Sequence, residues 1–237
     1  MAKKELSSKV IEVFEEILDP QRLARVESVA AQRSKHLTIV LDQISNDHNM
    51  SAVVRSADAF GLAELHLVGE SFKYSSGVAR GSERWLNFTT HSNPGEAIAS
   101  LHAQGFSLVV LKPQHLESSL SESSLASIPI TELPFERKLA LVFGNEQSGV
   151  SAEFEEAASY RAYIPMRGFV ESLNVSVACA ICLFCSTIAK TEPQRRTPVL
   201  ENEEREALRA ELLEKAVRRP DIILRDVARR NEKKSDR

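Results

Sequence analysis

Asn49 and Arg55, Glu146, and the pair Ser172 and Asn174 are the side chains in this sequence whose types and positions suit chemistry. Asn49 stands at the entrance of a short helix, NDHNMSAVVRSADAFGL, and Arg55 lies one and a half turns in. A guanidinium is a permanent cation with a planar fork of donors, suited to an anionic oxygen, and a short helix between two buried strands is an unusual place for one. A surface arginine or a structural ion pair is the ordinary alternative. Glu146 sits in FGNEQSGVS, where a buried strand runs into a glycine-rich turn and then a helix. That is where an α/β sheet holds a nucleotide-like ligand. Neither the dinucleotide fingerprint nor the P-loop pattern is present, and Glu146 lacks a lysine partner. The turn therefore suits a neutral or cationic ligand better than a phosphate. Ser172 and Asn174 precede a long apolar helix, where they can cap its orphan N–H groups. Taken alone, that stretch also reads as an ordinary core helix with ordinary caps.

The elements that position these residues follow from hydrophobic runs and breakers. Near-continuous apolar runs predict strands at 37–44 (LTIVLDQI), 63–69 (AELHLVG), LNFTT, FSLVVLK, LALVF and YRAYI, as expected for a sheet covered on both faces. Helices are expected within 5–33, broken at Asp19-Pro20, then from about Met50 to a C-cap at Gly61, around Gly95–Gln104, from Ser151, and over Val175–Ala189. The last of these is apolar nearly all round and is expected to be buried at the centre of the fold. It is too short to span a bilayer, and Glu171 and Lys190 flank it. Residues 113–134 read as an irregular connection. After the proline-marked TEPQRRTPV come helical segments near 201–217 and 220–231. The expected organisation is a helical extension over 1–35, an α/β domain over 36–190, and a helical basic extension over 191–237.

A formal net charge of −3 excludes a uniformly basic nucleic-acid binder, so any polyanion must meet local patches. Three such patches are visible: Arg22, Arg25 and Arg33 in the second helix; Lys73, Arg80 and Arg84 beside Tyr74 and Trp85; and the tail from Arg218 and Arg219 onward. Solvated charge is the plain alternative for each. Cys179, Cys182 and Cys185 lack a fourth cysteine and fan around a helix, so packed thiols in a reducing compartment are expected rather than a metal site. Met1-Ala2-Lys3-Lys4 leads into a polar, acidic segment without the apolar core of a secretory signal, and a cytoplasmic protein is expected.

Three stretches taken in order resemble the motifs of the SpoU family of RNA ribose 2′-O-methyltransferases, within the SPOUT superfamily. They are Asn49, Arg55 and Gly61; FGNExxGVS at Phe143–Ser151; and IPMxGxVxSLNVSVA at Ile164–Ala178. The resemblance covers about 20 to 190 and is strongest to the TrmH group of tRNA guanosine-18 2′-O-methyltransferases, including the loop Gly81–Trp85. It is weakest in the C-terminal segment, and no additional N-terminal substrate domain is expected. The resemblance implies a mostly parallel sheet flanked by helices, with its C-terminal part threaded as a deep trefoil knot. It implies S-adenosylmethionine as cofactor, tRNA as substrate, an obligate homodimer, and neither metal nor membrane. The backbones of Leu111, Phe143, Gly144, Gly149, Ile164, Pro165, Met166 and Leu173 would clasp the cofactor. Arg55 would meet the phosphate and hydroxyl of the target nucleotide, supported by Asn49, Glu146, Ser172 and Asn174. The alternatives are another RNA such as rRNA as the target, or a non-catalytic RNA-binding protein that keeps the knot.

Overall fold

The computed structural model describes residues 8–69, 81–113, 126–189 and 202–225. The chain forms two compact units, one from 34–198 and one from 1–33 together with 199–237.

The larger unit is built on seven parallel strands: β1 (Leu37–Asp42), β2 (Glu64–Val68), β3 (Asn87–His91), β4 (Ser107–Leu111), β5 (Ser127–Pro129), β6 (Leu139–Phe143) and β7 (Tyr160–Tyr163). Their spatial order is β3-β2-β1-β6-β4-β7-β5. Chain order runs outward from β1 to β3 on one side, then resumes on the other side. All the carboxyl ends therefore lie along one edge, with a topological switch beside β1, where such sheets bind ligands. Every residue of β1 and of β6 is buried, which accounts for their unbroken apolar runs.

Helices cover both faces. On one lie α3 (Asp47–Ala59) and α6 (Val175–Ala189), which bury Met50, Val53, Val54 and Ala57 with Val175, Cys179, Cys182 and Leu183. On the other, α4 (Pro94–Ala103) and α5 (Ala152–Ala157) bury Ala97, Leu101 and Phe154 against Val40, Val110 and Val142. Asn93 caps α4 by accepting the Glu96 N–H at 2.9 Å, and the Glu96 carboxylate accepts the Ser92 N–H at 2.8 Å. Burial raises the thiol pKa of all three cysteines, so they remain protonated packing groups.

Three local expectations change. Helix α3 starts at Asp47, not Met50, because Asn46 takes the cap: its Oδ1 accepts from the N–H groups of His48 and Asn49. Strand β5 lies inside the stretch expected to be irregular, pairing only with β7 at the sheet edge, where a proline is tolerated. Helix α6 is not buried all round; Val177, Phe184 and Ile188 are about half exposed, with Phe184 at 53%.

The smaller unit comprises α1 (Ser8–Ile17), α2 (Pro20–Gln32) and α7 (Asn202–Ala216), with residues 220–225 also helical. The sequence reading set the two termini apart as separate extensions; their helices instead pack on one another. Leu208, Leu212 and Leu213 of α7 are buried, as are Phe14 of α1 and Val26 and Ala30 of α2. Arg209 joins them, its guanidinium donating to Glu27 at 2.6 Å and to Glu15. These two acids, Glu27 first, hold the Arg209 pKa above its ordinary value.

Candidate active site

The three polar clusters singled out in the sequence meet at the carboxyl edge of the sheet. Asn49, freed from capping by Asn46, donates from Nδ2 to Glu146 Oε1 at 2.5 Å across 97 residues. Its Oδ1 accepts from Asn174 Nδ2 at 3.0 Å, 125 residues away. Asn174 Oδ1 in turn accepts from the backbone N–H and the hydroxyl of Ser176, at 3.0 and 2.6 Å, in the first turn of α6. One amide thus bridges two loops from distant parts of the chain.

Glu146 is presented by a self-braced turn. Asn145 and Gly149 exchange backbone hydrogen bonds of 3.0 and 2.9 Å, and Asn145 Oδ1 accepts from the N–H groups of Gln147 and Ser148. Gly149 adopts φ +73°, open to glycine at no steric cost. A Cβ on Gly144 would lie 2.2 Å from the Gly149 backbone, so the approach of the two segments requires glycine there.

Arg55 and Ser172 are not part of this network. Both are exposed, and neither has a hydrogen bond or ion pair among the described residues. Helical geometry explains the separation of Arg55: six residues turn the helix by about 600°, placing Arg55 about 120° around the axis from Asn49 and about 9 Å along it. The expectation that Asn49, Glu146 and Asn174 hold Arg55 is therefore not what the structure presents; they hold one another.

The residues expected to clasp a cofactor lie at the ends of three neighbouring strands. Leu111 closes β4, Phe143 closes β6 and is followed by Gly144 and Gly149, and Ile164, Pro165 and Met166 follow β7. Leu173 immediately precedes Asn174. Met166 and Leu173 are half-buried, and their backbones take no hydrogen bond among the described residues. Uncharged backbone donors and acceptors beside apolar side chains fit S-adenosylmethionine, which carries an adenine, hydroxyls and a sulfonium cation. None of these residues is a cation that would balance a polyphosphate.

Of the basic residues, Arg22, Arg25, Arg218 and Arg219 are exposed in the smaller unit. Arg84 is exposed in a short 3₁₀ turn (Ser82–Trp85) that packs on α3, its guanidinium 5.4 Å from the centre of the Trp85 ring. Lys73 and Arg80 lie outside the described residues. Arg33 is a correction: it is 2% exposed, buried at the end of α2 instead of lying open to phosphates.

Sequence reasoning missed Asn46 as the cap of α3, because Asn46, Asp47, His48 and Asn49 form a run of polar candidates. It also missed what holds the Glu146 turn to the sheet. Asp42, ending β1, accepts on Oδ2 from both the N–H and the hydroxyl of Ser151, each at 2.7 Å. The next carbonyl, of Gln43, accepts from Asn145 Nδ2 at 2.8 Å.

Comparison with known proteins places this parallel α/β sheet in a family of RNA-modifying enzymes. The chain belongs to the SpoU rRNA Methylase family, matching it over residues 36–184. It is 35% identical over 169 residues to a tRNA (guanosine(18)-2′-O)-methyltransferase of Escherichia coli K12, covering 70% of this chain and 69% of that protein. The crystal structure of the TrmH/SpoU tRNA modifying enzyme of A. aeolicus superposes with a TM-score of 0.70 at 31% identity, covering 87% of this chain and 100% of that one. The AdoMet-bound rRNA methyltransferase of Sinorhizobium meliloti gives 0.55 at 25% identity, over 69% of this chain and 59% of that one.

Proposed function

We infer that this protein transfers a methyl group from S-adenosylmethionine to the ribose 2′-hydroxyl of guanosine 18 in the D-loop of tRNA. The observation that carries the reading is the Glu146–Asn49–Asn174 bridge, which brings the three family motifs to one edge of the sheet beside the cofactor-clasping strand ends. The E. coli relative is named for the same nucleotide.

S-adenosylmethionine supplies a methyl group already activated by its sulfonium, so the protein needs no covalent intermediate. Its task is to align the hydroxyl and accommodate the proton. Leu111, Phe143, Gly144, Gly149, Ile164, Pro165, Met166 and Leu173 hold the cofactor mainly through backbone. Arg55 clamps the target phosphate and orients the 2′-hydroxyl; its lack of any internal partner among the described residues leaves its donors available. Asn49, Glu146 and Asn174 fix the floor of the site, and Ser172 contacts the nucleotide. Arg22, Arg25, Arg84, Arg218 and Arg219 engage tRNA phosphates, together with Lys73 and Arg80.

The transferase domain lies within 36–190, and its C-terminal part threads as the trefoil knot of the superfamily. The protein acts as a homodimer through α6, where Val177, Phe184 and Ile188 face outward, preceded by the exposed Phe169 and Val170. It works in the cytoplasm. No described helix is long and apolar enough to cross a membrane.

Parallel incubations of labelled S-adenosylmethionine with unmodified tRNA and with unmodified ribosomal RNA, followed by nucleoside mapping, test the activity. Label in 2′-O-methylguanosine is expected. Label in ribosomal RNA and none in tRNA would assign the other substrate named by the family.

A further inference from the structure

We propose that Asp42 and Gln43, at the end of β1, are positioning residues for the methyl-transfer site: they anchor the turn 144–151 that presents Glu146 and clasps the cofactor. The proposal rests on the function assigned above, and it concerns residues that act through the turn, not on the substrate.

The anchoring is double and comes from consecutive residues. Asp42 is 1% exposed, and one of its carboxylate oxygens receives two donors, the backbone N–H and the side-chain hydroxyl of Ser151. Bonds to a charged acceptor are the stronger kind, and both converge on the residue where the turn ends and α5 begins. The Gln43 carbonyl receives Asn145 Nδ2 at the other end of the same turn. The residues of the turn itself, 145–149, are closed by their own bonds, so Asp42 and Gln43 fix the whole turn as a body against β1 rather than shaping it.

The backbone at Gln43 supports a positioning role. Gln43 adopts φ +53°, the left-handed region that non-glycine residues seldom occupy. Its own N–H donates to the Val68 carbonyl at 3.1 Å, so the strand pairing continues up to the reversal. The reversal aims the Gln43 carbonyl at Asn145. Such strain persists only where the surroundings over-determine it, and here its product is one hydrogen bond to the turn bearing Glu146. Because Glu146 meets Asn49 at 2.5 Å, a shift of the turn would open the bridge to Asn174 as well.

Hydrogen exchange in the full-length protein without cofactor tests the anchoring; calorimetry with S-adenosylmethionine tests its consequence. In Asp42→Ala, exchange across 145–151 should accelerate about tenfold or more, while 37–41 and 139–143 remain protected. The dissociation constant for S-adenosylmethionine should rise by about the same factor. Asp42→Asn, which keeps an acceptor oxygen for Ser151, should restore most of both. Should Asp42→Ala not fold, Ser151→Ala carries the test, with about threefold faster exchange in the same segment. Unchanged exchange at 145–151 would overturn the proposal, as would protection lost uniformly through β1 and β6, which marks a purely structural residue. Failure of the wild-type protein to bind cofactor or methylate tRNA would instead remove the assigned activity, leaving the exchange result to stand by itself.

Discussion

Asn174 donates its side-chain amide to Asn49 at 3.0 Å, joining the loop before α6 to the first turn of α3 across 125 residues of chain. Asn49 in turn donates to Glu146, so a neutral amide is the hinge between an acid and a second amide. Changing that hinge to an acid has a definite electrostatic consequence.

In Asn49→Asp two carboxylates would face each other where the wild type has a donor against an acceptor. Like charges at such a separation raise one of the two pKa values, so that a shared proton can replace the lost amide hydrogen. Methyl transfer by this variant should be weak at pH 8 and recover in part as the pH is lowered toward 6. The wild type should not show that recovery. Parallel pH–rate profiles of the two proteins check it; equal profiles would mean that the bridge does not matter for turnover.

Arg55 has no internal partner among the described residues, so its removal leaves no buried charge exposed. Arg55→Ala should therefore fold normally and bind S-adenosylmethionine as the wild type does. Its loss should appear in turnover, since a contact made to the reacting nucleotide contributes about 2.7–4 kcal/mol, or about a hundredfold or more. Calorimetry and single-turnover kinetics separate the two effects. A variant keeping more than about a tenth of the wild-type rate, roughly 1.4 kcal/mol, would contradict the role.

A second pH dependence belongs to stability. His66 Nδ1 and His91 Nε2 lie 2.9 Å apart on adjacent strands, both buried, with their rings stacked 5.2 Å apart. His66 Nε2 has no hydrogen-bond partner among the described residues, so the shared proton is best placed on His66 Nδ1. Burial lowers both pKa values, outweighing Glu64 beside His66 and outweighing Glu96 and Glu64 beside His91. The unfolded chain then takes up protons first as the pH falls through the ordinary histidine value of about 6.5. Stability should be full above about pH 7.5 and fall on acidification to pH 5.5. Urea unfolding at the two pH values measures this, and a His66→Leu/His91→Leu double variant should show a smaller difference.

How far the sequence revealed these features depended on the distance over which each is determined. Helix α6 was legible to the residue, because a capping Asn174 and a continuous apolar run are local signals. Its exposed face was not: Phe184 and Ile188 look like core residues in any single chain, and only packing shows which side the sheet covers. The start of α3 was blurred by four consecutive polar residues, and β5 by a three-residue strand ending in proline. The identity of the bridge residues Asn49, Glu146 and Asn174 was readable from motif spacing, whereas their bonding to one another instead of to Arg55 required the helix rotation made visible in space. Asp42 and Ser151 interact across 109 residues, and the burial of Arg33 follows from packing that no local period records.

The outward apolar face of α6 makes its own prediction. Phe184 contacts Phe60 edge-to-face at 6.5 Å yet remains half exposed, and Ile188 lies one turn further on. A charge there should be tolerated by the isolated fold and not by a dimer interface. Phe184→Glu should sediment as a monomer with little change in secondary structure, whereas the wild type should sediment as a dimer. A variant that still sediments as a dimer would move the interface elsewhere.

The most direct measurement uses a tRNA with 2′-deoxyguanosine in place of guanosine 18, keeping the base and removing only the hydroxyl to be methylated. With labelled S-adenosylmethionine, the all-ribose tRNA should accept a single methyl group and the dG18 tRNA none, although both should bind comparably. Label entering the dG18 tRNA at the level of the unmodified substrate would show that the methyl group goes to another atom, and would contradict the account.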